Sequence, residues 1–205
     1  MSETQTDVSE METEIDSVIE AQWARLGAAG TWMDGAERTA LVGLARDPDA
    51  SEHDDDPATV AATLVAHRAP SITRGTVDDL ETRGLRREHY VEIVGVVGRI
   101  VAIDTYERGI GRAIRSTPAV RTGPPTREEV PAARRRAGWV PTVGAIGPPT
   151  ALDSVPAEAA AQEELHGALY LAYADMVDLH AARGLTRAQM ELVAARVSHV
   201  NDCHF

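Results

Sequence analysis

The stretch Arg87–Gly109, REHYVEIVGVVGRIVAIDTYERG, decides the fold. Tyr90, Ile93, Val94, Val96, Val97, Ile100, Val101 and Ile103 make it apolar on nearly every side. A run this rich in β-branched residues also suits a buried strand. Its length decides between the two: more than twenty residues without a turn signal outrun a strand and favour a central helix packed on several sides.

Outward from this helix the periodicities stay helical. Ile15, Val18, Ile19, Trp23 and Leu26 fall three and four apart, an amphipathic helix with one core face. Asp56 before Pro57 reads as N-cap and first helical residue of a segment through Val60, Leu64 and Val65. Thr76-Val77-Asp78-Asp79 resembles a capping box ahead of a short helix ended by Gly84. Pro156 opens a helix expected to run through Leu165, Leu169, Tyr170, Tyr173, Met176, Val177 and His180 to Gly184. Thr186-Arg187-Ala188-Gln189 is a capping box for a last helix with Met190, Val193 and Val197 on one face. No strand-like alternation of any length occurs, so the expected fold class is all-α.

Between the helical halves, residues 116–150 hold Pro118, Pro124, Pro125, Pro131, Pro141, Pro148 and Pro149 with four glycines, which excludes regular structure over most of the stretch. The domain reading is a disordered acidic leader (1–12), an N-terminal helical unit without a thiol (13–115), a Pro/Gly-rich linker (116–150) and a C-terminal helical unit (151–205). Trp139-Val140-Pro141 is expected to anchor the linker onto the helices. Arg134-Arg135-Arg136 reads as a solvated basic patch, with an anion or partner contact as the other reading.

The net charge of −12 lies wholly in residues 1–60, which carry fifteen acids and three arginines; residues 61–205 carry seventeen of each. This balance argues against nucleic acid as partner. The loop Ser51–Asp56 is a solvated charge run or, alternatively, a carboxylate cluster for a hard cation. One cysteine excludes an internal disulfide and a four-thiolate zinc site. No apolar run approaches the ~20 residues that span a bilayer, and the acidic N-terminus lacks a signal-peptide pattern. A soluble, cytoplasmic protein with no membrane partner is expected.

Two segments read alike. Arg83-Gly84-Leu85 precedes Glu92-Ile93-Val94, and Arg183-Gly184-Leu185 precedes Glu191-Leu192-Val193. Carried forward, the repeat sets Asp104 opposite Cys203 and Glu92 opposite Glu191, as in a duplicated helical unit whose first copy lacks the thiol. Glu92 is then a structural buried carboxylate or a vestige.

The C-terminal run from Glu191 to Phe205, ELVAARVSHVNDCHF, carries the chemistry. Eleven residues separate Glu191 from Cys203, so a straight helix would hold them ~18 Å apart. They cooperate only if the helix breaks between them, and Asn201-Asp202 suits that break because either side chain can cap a new helix. A cysteine in that first turn would feel the positive end of the helix dipole, which favours thiolate, and the glutamate would shuttle its proton. His199, Cys203 and His204 could alternatively hold a metal, while His166 and His180 read as packed or capping groups.

Glu191 and Cys203 at this spacing, with Val197-Ser198 and Asn201 between them, resemble the AhpD-like alkylhydroperoxidase family within the carboxymuconolactone decarboxylase superfamily. Its redox members carry E-x11-C-x2-C-x3-H. Trp32–Arg38 (WMDGAER) and Val91–Gly98 are similar to its two-unit, peroxidase-related branch. The resemblance implies an all-α homo-oligomer of two tandem helical units. It also implies Glu191 and Cys203 as catalytic residues, a peroxide or disulfide substrate, a thioredoxin-like or lipoyl thiol donor, and no cofactor. Relative to the pattern, the sequence stops one residue short of the second thiol and lacks the histidine. The implied second unit is therefore incomplete, with cysteine or selenocysteine expected next. Taken literally, a lone Cys203 two residues from the terminal carboxylate would be a poor peroxidase. A non-redox decarboxylase-like enzyme and a catalytically silent oligomerising protein are the alternative functions.

Overall fold

The computed structural model describes residues 8–147 and 150–201. It is all-α, with α1 (Val8–Leu26), α2 (Gly35–Arg46), α3 (Pro57–His67), α4 (Arg74–Thr82), α5 (Arg87–Gly109), α6 (Pro156–Leu169) and α7 (Arg187–Val200). Among the described residues the only β-type pairings are two isolated bridges, Arg134 with Thr142 and Arg183 with Leu185. No described helix is long and apolar enough to cross a membrane. The chain forms two compact units, one of Met1–Glu20 with Glu163–Phe205 and one of Ala21–Gln162, and residues 116–150 lie within the second.

In the larger unit α5 is the axis on which α2 and α3 pack, and its bounds are those read from the sequence. Val91, Ile93, Val96, Val97, Ile100 and Ile103 are buried around its circumference, which overrides their modest helix preference. Each such side chain stabilises the fold by roughly 1.5–3 kcal/mol. Asp56 caps α3 by accepting from the Ala58 and Thr59 amides, with Pro57 in the first turn, as expected.

The cap of α4 differs from expectation. Thr73, three residues earlier than read, is its N-cap, and Thr76 is the returning member of the box. Thr76 competes poorly as a cap because its amide is already taken by the Thr73 hydroxyl at 3.2 Å. At the other end Gly84 follows the helix with φ +102°, the left-handed geometry in which glycine has no Cβ penalty.

Residues 110–147 contain no helix and are held by main-chain bonds and arginines. The Arg121, Thr126 and Arg127 amides donate to the Gly27, Gly30 and Thr31 carbonyls at 2.7, 3.0 and 2.9 Å. Arg87, itself buried, donates to the Trp139 carbonyl at 2.5 Å and forms ion pairs with Asp78 and Glu81. The Trp139 indole is not the expected anchor, for it is 41% exposed. Its neighbour Val140 packs against Trp32, Val91 and Val155 instead. The three consecutive arginines are exposed but engaged: Arg134 donates to the Pro131 carbonyl, Arg135 faces Asp78 and Glu81, and Arg136 donates to the Thr142 carbonyl.

His89, on the first turn of α5, supplies a pH dependence. Its Nε2 is buried and has no hydrogen-bond partner among the described residues. Burial lowers its proton affinity below the ordinary value of 6.5; Glu37 and Asp56 pull it back up and Arg127 pushes it further down. The unfolded chain therefore takes up this proton first, and the folded state loses stability as pH falls below the ordinary histidine range. The expected slope in that window is at most ~1.4 kcal/mol per pH unit. Denaturant titrations between neutral and acidic pH measure it, and His89→Gln should flatten that part of the profile.

Candidate functional site

Two clusters of chemistry-bearing side chains stand out, one in each unit. In the smaller unit, Thr186 caps α7 through the capping box read from the sequence, and the helix ends at Val200 with Asn201 as C-cap, at the expected break. Glu191 lies on the first turns of α7. Its Oε1 accepts from the Tyr170 hydroxyl at 2.9 Å and from Arg187 Nε at 2.6 Å. These two bonds hold its carboxyl below the usual range, so it is ionised at neutral pH. Burial and the facing carboxylate push the Tyr170 phenol up, so it keeps its proton. The Glu191 side chain remains 51% exposed and can exchange protons with water. Cys203 and His204 lie outside the described residues.

Tyr170 reaches Glu191 because α6 stops early. The helix expected to continue to Gly184 ends at Leu169, and a 3-10 turn at Asp175–Val177 follows. Side chains take the carbonyls that further helix would have used. His166 Nδ1 bonds the Leu171 carbonyl at 2.6 Å, Arg183 donates to that of Gly167, and Arg187 donates to those of Met176 and Asp178. His166 is thus the capping group expected, packed edge-on to Tyr170, whereas His180 is exposed rather than packed. Val177, expected on a buried stripe, is 86% exposed. On α7 the expected apolar face buries Met190, while Val193 and Val197 remain open.

The glycines of the internal repeat share one local device. Gly184, like Gly84, has positive φ (+71°), and each stands three residues before its helix, α7 or α5. The glutamates that follow have opposite fates, since Glu191 is exposed and Glu92 is fully buried. At the position matched to Cys203, Asp104 is buried and receives a fork from Arg46 at 2.7 and 2.8 Å.

The second cluster surrounds Glu92. Arg38 Nη1 donates to Glu92 Oε1 at 2.5 Å and to Glu158 Oε1 at 2.8 Å. Glu158 Oε2 lies 2.5 Å from Arg99 Nη2, and the Trp32 amide donates to Glu92 Oε2 at 2.5 Å. All four charged side chains are at most 2% exposed. Burial pushes the Glu92 carboxyl up against the opposing pull of Arg38, and burial draws the Arg99 guanidinium down. Space for the cluster comes from Gly30 and Gly95: a Cβ on Gly30 would stand 2.0 Å from Glu92 Oε1, and one on Gly95 would stand 2.9 Å from Glu158 Oε2. Glu92 is therefore the buried structural carboxylate of the two readings. Arg38, Arg99 and Glu158 were missed in the sequence, although Glu92 and Arg99, seven apart among the apolar residues of mid-α5, signal buried charges that need partners from other helices.

Among the described residues, no group of three or more His, Cys, Asp or Glu side chains is arranged to hold a metal ion. In the Ser51–Asp56 loop, Ser51 accepts from the His53 amide, Asp54 from the Asp56 amide and Asp56 from the start of α3, while Arg83 takes the Asp54 and Asp55 carbonyls. No family model, curated protein or solved structure matches this chain.

Proposed function

We propose that this protein is a thiol- or selenol-dependent peroxidase or disulfide reductase of the alkylhydroperoxidase type, with Cys203 as one half of the redox pair and Glu191 in its proton relay. The observation that carries the reading is the Tyr170–Glu191–Arg187 cluster: an ionised carboxylate beside a protonated phenol, twelve positions before the cysteine on a helix that ends between them. Such a carboxylate can accept the thiol proton and return it to a leaving oxygen.

In the proposed cycle the Cys203 thiolate attacks one oxygen of a hydroperoxide. The O–O bond breaks, sulfur becomes a sulfenic acid, and the relay protonates the departing alkoxide to an alcohol. A second thiol or selenol then displaces water from the sulfenic acid. A dithiol of the thioredoxin or lipoyl class reduces the resulting bond. The same reading makes the protein a homo-oligomer, and Leu192 and Val200 on α7, 72% and 67% exposed, are available to a second copy.

Consumption of tert-butyl hydroperoxide with dihydrolipoamide as reductant tests the proposal. Cys203→Ser should abolish turnover, and Glu191→Gln should lower kcat about 100-fold or more, within the range for a lost proton-transfer group. An unchanged rate in Cys203→Ser rules the reading out.

A further inference from the structure

The smaller unit contains a cavity of about 720 Å³ between the start of α1, the end of α6 and α7, within the size range of small-molecule sites. Met11, Ile15, Leu169, Met190, Val193 and Val197 supply its apolar wall. Two hydroxyls and the His166 imidazole interrupt that wall, and the imidazole is already engaged through Nδ1 with the Leu171 carbonyl at 2.6 Å. Tyr170 stands beside Glu191, and Ser198 lies seven residues beyond Glu191 on α7, two turns or about 10 Å away.

The charges at the rim are already matched. Arg183 pairs with Glu14 at 2.9 Å and donates to the Gly167 carbonyl, and Arg187 pairs with Glu191 at 2.6 Å. Neither cation is left to receive an acidic head group, and neither carboxylate to receive an ammonium. An ion drawn into this apolar space would lose hydration without a partner, which is costly. A neutral hydroxyl, by contrast, can donate to the Tyr170 oxygen or bond Ser198, and a carbonyl can accept from Ser198, while its chain covers the wall.

We propose that this cavity binds an uncharged, mostly apolar molecule of about eight carbons with a hydroxyl or carbonyl at one end, its length set by the two helical turns, about 10 Å, from Glu191, which Tyr170 bonds, to Ser198. The inference rests on the cavity and its rim and not on the thiol chemistry. Binding is therefore measured on the full chain carrying Cys203→Ser, so that the two ideas succeed or fail separately.

The test uses Nile red as reporter and 1-octanol as competitor. Saturable Nile red fluorescence displaced by 1-octanol is expected, with octanoate and octylammonium at least tenfold weaker. Ala194→Trp, which fills the cavity, should weaken 1-octanol at least tenfold. Val197→Gln, similar in size but polar and on a half-open position, should weaken it several-fold and tests the same wall if the first variant does not fold. Ala195→Ser, exposed on α7 and outside the lining, should bind as the parent does. Octanoate bound as tightly as octanol overturns the inference, as does binding indifferent to both cavity variants. It is equally overturned if sedimentation shows a second copy covering this face and the probe binds only when Val197→Gln dissociates it.

Discussion

Replacing Glu158 by alanine is expected to lower the unfolding free energy of the larger unit by about 3–5 kcal/mol, the usual loss when one member of a buried ion cluster is removed. Glu158 serves both arginines, taking Arg38 at 2.8 Å and Arg99 at 2.5 Å. Its loss leaves Arg99 buried with no counter-ion and Arg38 with Glu92 alone. Arg99 is held by its ion pair with Glu158, and none of its three guanidinium nitrogens has a well-aligned hydrogen bond among the described residues, so nothing nearby takes over the charge. For a chain of this size the change corresponds to a fall in Tm of roughly 10 °C. Trp23, Trp32 and Trp139 all lie in this unit, so guanidinium titration followed by tryptophan fluorescence reports its unfolding. Replacing all four members together, as Arg38→Met, Glu92→Leu, Arg99→Met and Glu158→Leu, should recover most of the loss, because no buried charge then remains. A loss below ~1 kcal/mol in Glu158→Ala would show that water reaches the cluster.

Gly30→Ala should destabilise the same unit by a comparable amount, about 3 kcal/mol or more, through one added methyl group. That methyl would stand 2.0 Å from Glu92 Oε1 and 2.2 Å from Arg38 Nη1. Neither atom can retreat cheaply, because each is buried and bound to the other, and Glu92 is also held by the Trp32 amide. Gly43→Ala is the matched control. Gly43 sits exposed within α2 with nothing within 4 Å of its would-be Cβ, so alanine there should stabilise by about 0.5–1 kcal/mol through helix propensity. Opposite signs at the two glycines, read in one denaturation series, would tie the Gly30 cost to the ion cluster. A Gly30→Ala protein as stable as the parent would mean that the loop shifts freely and that the cluster tolerates rearrangement.

The sequence by itself determined the features whose causes are local. The length and continuity of Arg87–Gly109, the Asp56-Pro57 start of α3 and the Thr186 box of α7 depend on neighbours within a few positions, and each stands where its residues placed it. The halt of α7 at Asn201 was legible for the same reason. The end of α6 was not, because the Gly167 carbonyl is captured by Arg183 from sixteen positions away, and Arg187 holds the non-helical chain that follows by the Met176 and Asp178 carbonyls, an outcome no helical period records. Trp139 failed as an anchor for a related reason: which of two adjacent apolar side chains faces inward is set by the surface that receives them, here Trp32, Val91 and Val155.

The two glutamates of the repeat show the division most sharply. Spacing alone relates Glu92 to Glu191 and marks both as candidates for acid–base chemistry. Only the tertiary structure separates them. It brings Arg38 from 54 positions before Glu92 and makes that carboxylate a structural ion, while leaving Glu191 at the surface with a phenol and a guanidinium. A carboxylate's function depends on the dielectric and the partners around it. Both are properties of residues distant in the chain, so they exist only once the chain has folded.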